Sequence, residues 1–464
     1  MSQTPTVNPQ CPNCAEWARS FAQLEARVRD LEARLKQNSS NSSKPPSTDP
    51  PWMRPPPQPP SGRAPGGQPG HAGHHRIRLP PERVTAIVPH VPPQCERCGR
   101  ALPPMAGPHD TAPTWHQVLE LPLHPVEVTE HQGHARHCAH CGHVTLADIP
   151  AQVRAHCLGP RLSAAVSYLS ARCHCSKRPI REALEVLLGV PIALGTVCLC
   201  EAEMSGALVA AHGEVARDVR AAPALNVDET GWSERGRLCW LWLAASARTV
   251  LFQIGPTRAV AGLRALLGAQ PQNFVTSDRW QAYNCLALTQ RQLCWAHLER
   301  DFQALVERGA GCAELGVAGL HAWARVLVAW RDFKAGRLNR RALETQLEPV
   351  RQGLREDLER ARDGPAGRVS RFAGRILKLE PALWTFARTD GVEPTNNHAE
   401  RQLRPGVLWR KRSFGCQSEG GCRFVERMLS VVQTLLLRQR PVLDYLTAAL
   451  TAHRQRLPAP RLCS

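Results

Sequence analysis

Flat aromatic rings are scarce in this chain of 464 residues: 12 Trp stand beside only 9 Phe and 3 Tyr, and aromatics make up 5% of the whole. That is poor material for the base-stacking platform of a single-strand binder. Acids are short as well, 40 Asp and Glu against 58 Lys and Arg, for a formal net charge of +18. Such a polycation favours a polyanionic partner, with duplex DNA ahead of RNA and of an anionic membrane surface. Long hydrophobic runs are missing. The richest, residues 428–437, is interrupted by Ser430, Gln433 and Thr434 and flanked by Arg427 and Arg438, far from the roughly 20 apolar residues of a membrane helix. The opening MSQTPTVNPQ lacks the basic and apolar blocks of a secretory signal. A cytoplasmic, reducing setting without membrane insertion is therefore expected. There the 18 Cys read as metal ligands where closely spaced and as small buried hydrophobes where scattered, not as a disulfide framework.

The length exceeds one compact core and fits roughly two to four domains, while 40 Pro and 33 Gly signal an extended stretch outside any of them. From Phe21, apolar residues recur at Leu24, Val28, Leu31 and Leu35, a helical seam surrounded by Glu25, Arg27, Arg29, Asp30, Glu32 and Arg34. A coiled coil of about two heptads is marginal alone, so residues 1–37 are expected to self-associate. The nearby Cys11 and Cys14 have no second pair close in sequence and stay unassigned. Residues 38–80 are a Pro/Gly/Ser-rich linker, semi-extended because proline supplies no N–H to a regular ladder. Its His71, His74 and His75 suit a solvated turn better than a metal site.

Cys95-Glu-Arg-Cys98-Gly99 and Cys138-Ala-His-Cys141-Gly142 are two knuckles 39 residues apart. Each offers two thiolates on a tight turn that glycine permits, and together they complete a tetrahedral sulfur set for Zn²⁺. His137, His140 and His143 stand close enough in sequence to substitute as ligands. Strand-like patterns at residues 115–121 and 126–130 predict a zinc ribbon with an enlarged hairpin over 81–150. Residues 151–220 turn helical, with a Gly189-Val-Pro-Ile break and a new helix near Gly195-Thr196, the order of a helix-turn-helix. Many helical connectors share that order, and DNA contact and a plain connector stand as equal readings.

After Arg220 the period changes to two. Residues 224–230, 237–245 and 249–254 read as strands, 257–267 as an amphipathic helix, and 273–277 as a strand reaching Asp278. A helix is expected at 280–288, a strand at 292–295 and another helix from His297. Asp228 and Asp278 then both stand at strand ends. Glu229 follows Asp228 but points to the opposite strand face, a neighbour rather than a ligand. A third carboxylate, Glu400, lies one helical turn beyond Asn396 in Thr395-Asn-Asn-His-Ala-Glu400. The 121 residues between Asp278 and Glu400 include a helical insertion at about 309–385. Carboxylates gathered this way suit Mg²⁺ or Mn²⁺ and phosphodiester chemistry, which needs hard oxygen ligands. Residues 401–440 add nine Arg and Lys against two Glu. Arg401, Arg404, Arg410, Lys411 and Arg412 lie near Glu400 as a surface for DNA phosphates, whereas Arg438 and Arg440 suit a solvated helix face.

These residues resemble the transposase family of bacterial insertion sequence 66. The likeness rests on the zipper followed by Asn38-Ser-Ser-Asn-Ser-Ser-Lys-Pro-Pro46, on Gly67-Gln-Pro-Gly-His71, and on the paired knuckles. It continues through Val227-Asp-Glu-Thr230, Ser277-Asp278, Cys294-Trp-Ala-His-Leu298 and Asn396-Asn-His-Ala-Glu-Arg401. The resemblance implies a ribonuclease-H-like α/β core and matches Asp228, Asp278 and Glu400 to an Asp-Asp-Glu catalytic and metal-binding triad. It also brings in His297 and Arg300, as phosphate contacts or organisers of the site, with a helix-capping or core role equally open. Where the family usually has two Arg, this chain has Glu299-Arg300-Asp301.

The expectation is a multidomain transposase: residues 1–37 oligomerising helix, 38–80 linker, 81–150 zinc ribbon, 151–220 helical DNA-binding region, 221–410 ribonuclease-H-like core, and 411–464 basic helical C-terminus. It would bind transposon ends and target DNA as a homo-oligomer, beside the nucleoid and with companion proteins of the same element, cutting and joining strands with Mg²⁺ or Mn²⁺. The alternative is a non-catalytic zinc-containing DNA-binding protein, an inactive or domesticated copy.

Overall fold

The computed structural model describes residues 12–35, 78–105, 111–112, 114–309 and 311–463. Cys11, the side chain of Cys14 and most of the expected linker, His71, His74 and His75 included, lie outside them. The chain forms two compact units, Pro55–Thr129, and Met1–Arg54 with Glu130–Ser464.

In the first unit a 3-10 turn at Pro81–Arg83 precedes the Cys95 knuckle. The segments 115–121 and 126–130 are not strands, contrary to the period-two pattern. Pro122 and Pro125 interrupt the stretch, and Val118 and Leu121 of the first segment and Val128 of the second are exposed, so no packed face rewards the alternation. Among the described residues, the strands near a knuckle are β1 (Ala135–His137) and β2 (Val144–Leu146), an antiparallel pair in the second unit that carries the Cys138 turn.

The second unit also holds α1 (Pro12–Leu35), whose Phe21, Leu24, Val28, Leu31 and Leu35 are all exposed. Its helical part contains α2 (Ala151–Arg154), α3 (Pro160–Ala171), α4 (Lys177–Leu188), α5 (Leu194–Ala207) and α6 (Val209–Ala221). Gly189, at φ 66°, closes α4 in the left-handed region that favours glycine. Val166, Ile180, Leu184 and Val197 then bury a small core where α3, α4 and α5 meet. The helix after the turn has no Lys or Arg, and the basic side chains of this element are Lys177, Arg178 and Arg181 on α4.

The sheet is built from β3 (Ala224–Glu234), β4 (Arg237–Ala245), β5 (Val250–Gly255), β6 (Phe274–Ser277) and β7 (Arg291–Leu293). Its order is β5-β4-β3-β6-β7: β3, β4 and β5 are antiparallel, and β6 and β7 run parallel to β3. A helix, α7 (Val260–Leu267), links β5 to β6. The expected helix over 280–288 is instead two 3-10 turns, Gln281–Cys285 and Leu288–Gln290.

Both sheet edges are covered. α14 (Glu419–Leu437) lies along β5 with a polar residue at each turn: Ile254 N–H donates to Glu426, Phe252 N–H to Ser430 Oγ at 2.8 Å, and Val250 N–H to Thr434 Oγ1 at 3.1 Å. These i, i+4, i+8 acceptors satisfy the donors that an open edge would expose. At β7, Phe386 N–H donates to Gln292 Oε1 at 2.8 Å and Thr385 Oγ1 to Arg291 O at 2.7 Å.

Between α8 (Trp295–Glu307) and α12 (Thr385–Arg388), α9 (Ala313–Lys334), α10 (Arg340–Asp363) and α11 (Arg368–Leu379) build a separate apolar core. Trp295 stacks on Trp323, with centroids 5.7 Å apart, and meets Trp384 edge-on. Gly316 and Gly319 let α9 approach α8 so closely that a Cβ on Gly319 would stand 2.3 Å from the Phe302 ring. The chain returns through α13 (Asn397–Ser413) and closes with α14 and α15 (Val442–Arg454).

Candidate active site

Asp228 lies on the central strand β3, Asp278 directly follows its parallel neighbour β6, and Glu400 sits in the first turn of α13. Parallel pairing of Asn226 with Thr276 places the two Asp at the same end of adjacent strands. α13 is fixed there by Asn396, whose buried amide Nδ2 donates to Val227 O at 2.9 Å while its Oδ1 accepts from Asn226 Nδ2 at 3.1 Å. Its backbone N–H donates to Cys294 Sγ at 3.1 Å, and its carbonyl accepts from Glu400 N–H at 3.2 Å. One residue thus joins β3, the loop into α8 and the helix bearing the third acid.

Each aspartate is oriented locally. Asp228 Oδ1 accepts from Glu229 N–H at 2.9 Å, and Asp278 Oδ1 from Trp280 N–H at 2.8 Å. The Asp278 carbonyl is held by Arg291 Nη2 at 3.0 Å; burial lowers the pKa of that arginine to about 10 despite the nearby Asp278 charge. Burial first, and then the charges of Glu229, Asp278 and Glu400, together raise the Asp228 carboxyl to about 8. The three sequence-distant carboxylates thus converge closely enough for Asp278 and Glu400 to repel the desolvated Asp228 charge, while the Glu400 side chain itself stays 42% exposed. A divalent cation would relieve that repulsion, and their all-oxygen donor set fits a hard one.

Glu229 faces away from this cluster. It accepts from Arg258 at 2.8 Å and from the hydroxyl of buried Tyr283, while burial raises its pKa. The Arg258 guanidinium lies over Trp280 at 3.9 Å and over Trp240 at 4.8 Å. This ionic and aromatic bracket supports the loop that orients Asp278. Sequence reading missed Arg258 and Tyr283, which lie in no motif; Asn396 lay inside a motif and was passed over in favour of the acids.

His297 Nδ1 stands 4.0 Å from Glu400 Oε1, and burial together with Arg300 lowers the His297 pKa. Arg300 donates to Ala296 O at 3.3 Å within its own helix. Arg401, Arg404, Lys411 and Arg412 are exposed along α13. Arg410 is placed differently: its Nη1 donates to Thr230 Oγ1 and Gly231 O, both at 2.8 Å, tying α13 to β3. Arg438 and Arg440 do not form a solvated face. Arg438, only 7% exposed, donates to Cys463 O at 3.0 Å, and Arg440 donates to Leu462 O at 2.7 Å, fastening the C-terminal segment.

The two knuckles, one in each unit, have the same backbone. Gly99 N–H returns to Cys95 O and Cys95 N–H to Arg100 O; Gly142 N–H returns to Cys138 O and Cys138 N–H to His143 O. Both glycines are left-handed, at φ 72° and 74°. Hydrogen bonds from the backbone of Cys98 and Arg97 lower the Cys95 thiol pKa, and those of Cys141 and His140 lower that of Cys138. Each turn is thus shaped to present thiolate.

The family model described as Transposase IS66 family matches residues 156–423, more than half of the chain. The chain belongs to the IS66 transposase family. The matched span includes Asp228, Asp278, Glu400 and the α9–α11 insertion, and excludes both knuckles. A family of unknown function (DUF6444) matches residues 13–77. Uncharacterized protein y4qI of Sinorhizobium fredii (strain NBRC 101917 / NGR234) is similar over 176 residues at 28% identity, 36% of this chain and 32% of the relative. The match spans about a third of that relative's length.

Proposed function

We propose that this IS66-family protein is a DNA transposase of the Asp-Asp-Glu type, which binds transposon ends and performs divalent-metal-dependent strand cleavage and transfer. The observation that carries the reading is the convergence of Asp228, Asp278 and Glu400, with the Asp228 carboxyl raised to about 8 by burial and its acidic neighbours. The mixed sheet with an acid at the end of its central strand supports a ribonuclease-H-like core. Mg²⁺ or Mn²⁺ ions held by these three side chains would activate the attacking oxygen and stabilise the leaving one.

The chain's own residues do the rest. Asn396 and Arg291 hold Glu400 and Asp278 in place, and the cations of α13 guide the DNA backbone. From Glu400 to Arg412 the helix rises about 18 Å, so Arg401, Arg404, Lys411 and Arg412 can follow successive phosphates away from the acids. Phosphate contacts of this kind position the duplex without reading its sequence. α4 and α5 are proposed to engage the transposon end, with Lys177, Arg178 and Arg181 as phosphate contacts. The exposed seam of α1 is proposed to pair with the same seam of a second copy, and companion proteins of the same element are proposed to act with the assembly. The knuckle thiolates are proposed to hold Zn²⁺.

The test is cleavage of labelled transposon-end DNA with Mg²⁺. Wild type should nick at the end junction, and Asp278→Asn should bind the same DNA and leave it uncut. Normal cleavage by Asp278→Asn would overturn the assignment.

A further inference from the structure

Cys294 and His297 open α8 and take no part in the carboxylate chemistry above. Cys294 is buried, and its Sγ faces the N-terminus of α13. His297 Nδ1 is buried without a hydrogen-bond partner among the described residues, an uncommon and costly state for an imidazole nitrogen. One ligand atom each from Cys294, His297 and Glu400 lies within 4.8 Å of the other two. In a tetrahedral zinc site, bonds of about 2.3 Å to sulfur and about 2.0 Å to nitrogen and oxygen place such atoms roughly 3.3–3.6 Å apart. Closing the remaining ångström or so needs a rotation of Glu400, whose side chain is 42% exposed.

Thiolate and imidazole together select a borderline-soft cation over Mg²⁺. We propose that Cys294, His297 and Glu400 form a further metal site, for Zn²⁺ or a similar cation, and that filling it withdraws Glu400 from the hard-cation cluster. On binding, the Cys294 thiol gives its proton to solvent and the sulfur lone pair goes to the metal; no oxidant or reductant is involved. Three protein ligands leave a fourth position for water. The site stands independently of the transposase reading, whereas its inhibitory consequence rests on it.

The experiment uses the full chain with its knuckles already loaded with zinc, titrated with Co²⁺ and followed by the near-ultraviolet thiolate-to-cobalt absorption. Wild type should take up one cobalt more than Cys294→Ser and gain that band; Asp228→Asn should gain it as wild type does. His297→Gln should lose the same increment, which decides the matter if Cys294→Ser fails to fold. Equal uptake and identical spectra for wild type and both variants would overturn the site. In a parallel arm, Zn²⁺ added to Mg²⁺-dependent cleavage should inhibit wild type and leave Cys294→Ser at its own zinc-free rate, whatever that rate is. Cobalt binding without zinc inhibition would overturn the withdrawal of Glu400. A chain that never cuts DNA would sink the catalytic reading, and the cobalt count would still decide the site.

Discussion

The side-chain amide of Asn396 donates to the carbonyl of Val227 at 2.9 Å, so the helix carrying Glu400 is bolted to the strand residue immediately before Asp228. Asn396→Ala takes the side-chain donor from buried Val227 O and leaves Asn226 Nδ2 with only its 3.4 Å bond to Thr395 O. A buried polar group left without its partner costs about 1–3 kcal/mol. The variant is expected to melt lower and to lose cleavage far more than DNA affinity, because Glu400 loses its anchor while the cations of α13 remain. Melting curves and gel-shift titrations beside a cleavage assay check this.

Asp228 sets a pH dependence whose direction is fixed. Its carboxyl is raised from 3.8 to about 8, so the folded chain holds that proton more tightly than the unfolded chain. Stability from this group therefore falls as pH rises from about 4 to about 8. In chelator, Asp228→Asn should flatten that decline and melt above wild type at pH 8. Added Mn²⁺ should raise the melting temperature of wild type and leave the variant nearly unmoved. Calorimetry across the pH range provides both readings.

Thr434→Val keeps the shape of α14 and removes the acceptor for the buried N–H of Val250. The expected loss is about 1–3 kcal/mol, and Ser430→Ala should behave alike at Phe252. Denaturant unfolding should register each loss without a change in DNA binding.

If the knuckle thiolates hold zinc, as proposed, Cys95→Ser with Cys98→Ser should lower the zinc content of the purified chain, and so should Cys138→Ser with Cys141→Ser. Unchanged zinc in either double variant would remove that knuckle from the zinc ligands. Elemental analysis after gel filtration gives the count.

The strands leading to Asp228 and Asp278 are legible because each acid follows a short run that is buried at successive residues, Leu225 to Val227 and Val275 to Ser277, and 237–245 stays apolar because β4 is buried almost throughout from Cys239 on. Residues 115–121 carried a period-two alternation but had nothing to pack against. Ser430 and Thr434 read as interruptions of an apolar run, although they are the acceptors that close the β5 edge; only the partner strand gives them that meaning. Arg410, Arg438 and Arg440 counted as free cations in the sequence for the same reason. Their carbonyl partners lie far along the chain or in another element, and residue type alone does not announce them. Glu400 was found through its motif. Its dependence on Asn396 required the fold.

The most direct measurement is anomalous scattering from a crystal soaked in Mn²⁺. The account predicts a manganese peak within bonding distance of carboxylate oxygens from Asp228, Asp278 and Glu400. A crystal with manganese bound elsewhere and none among these three carboxylates would contradict it.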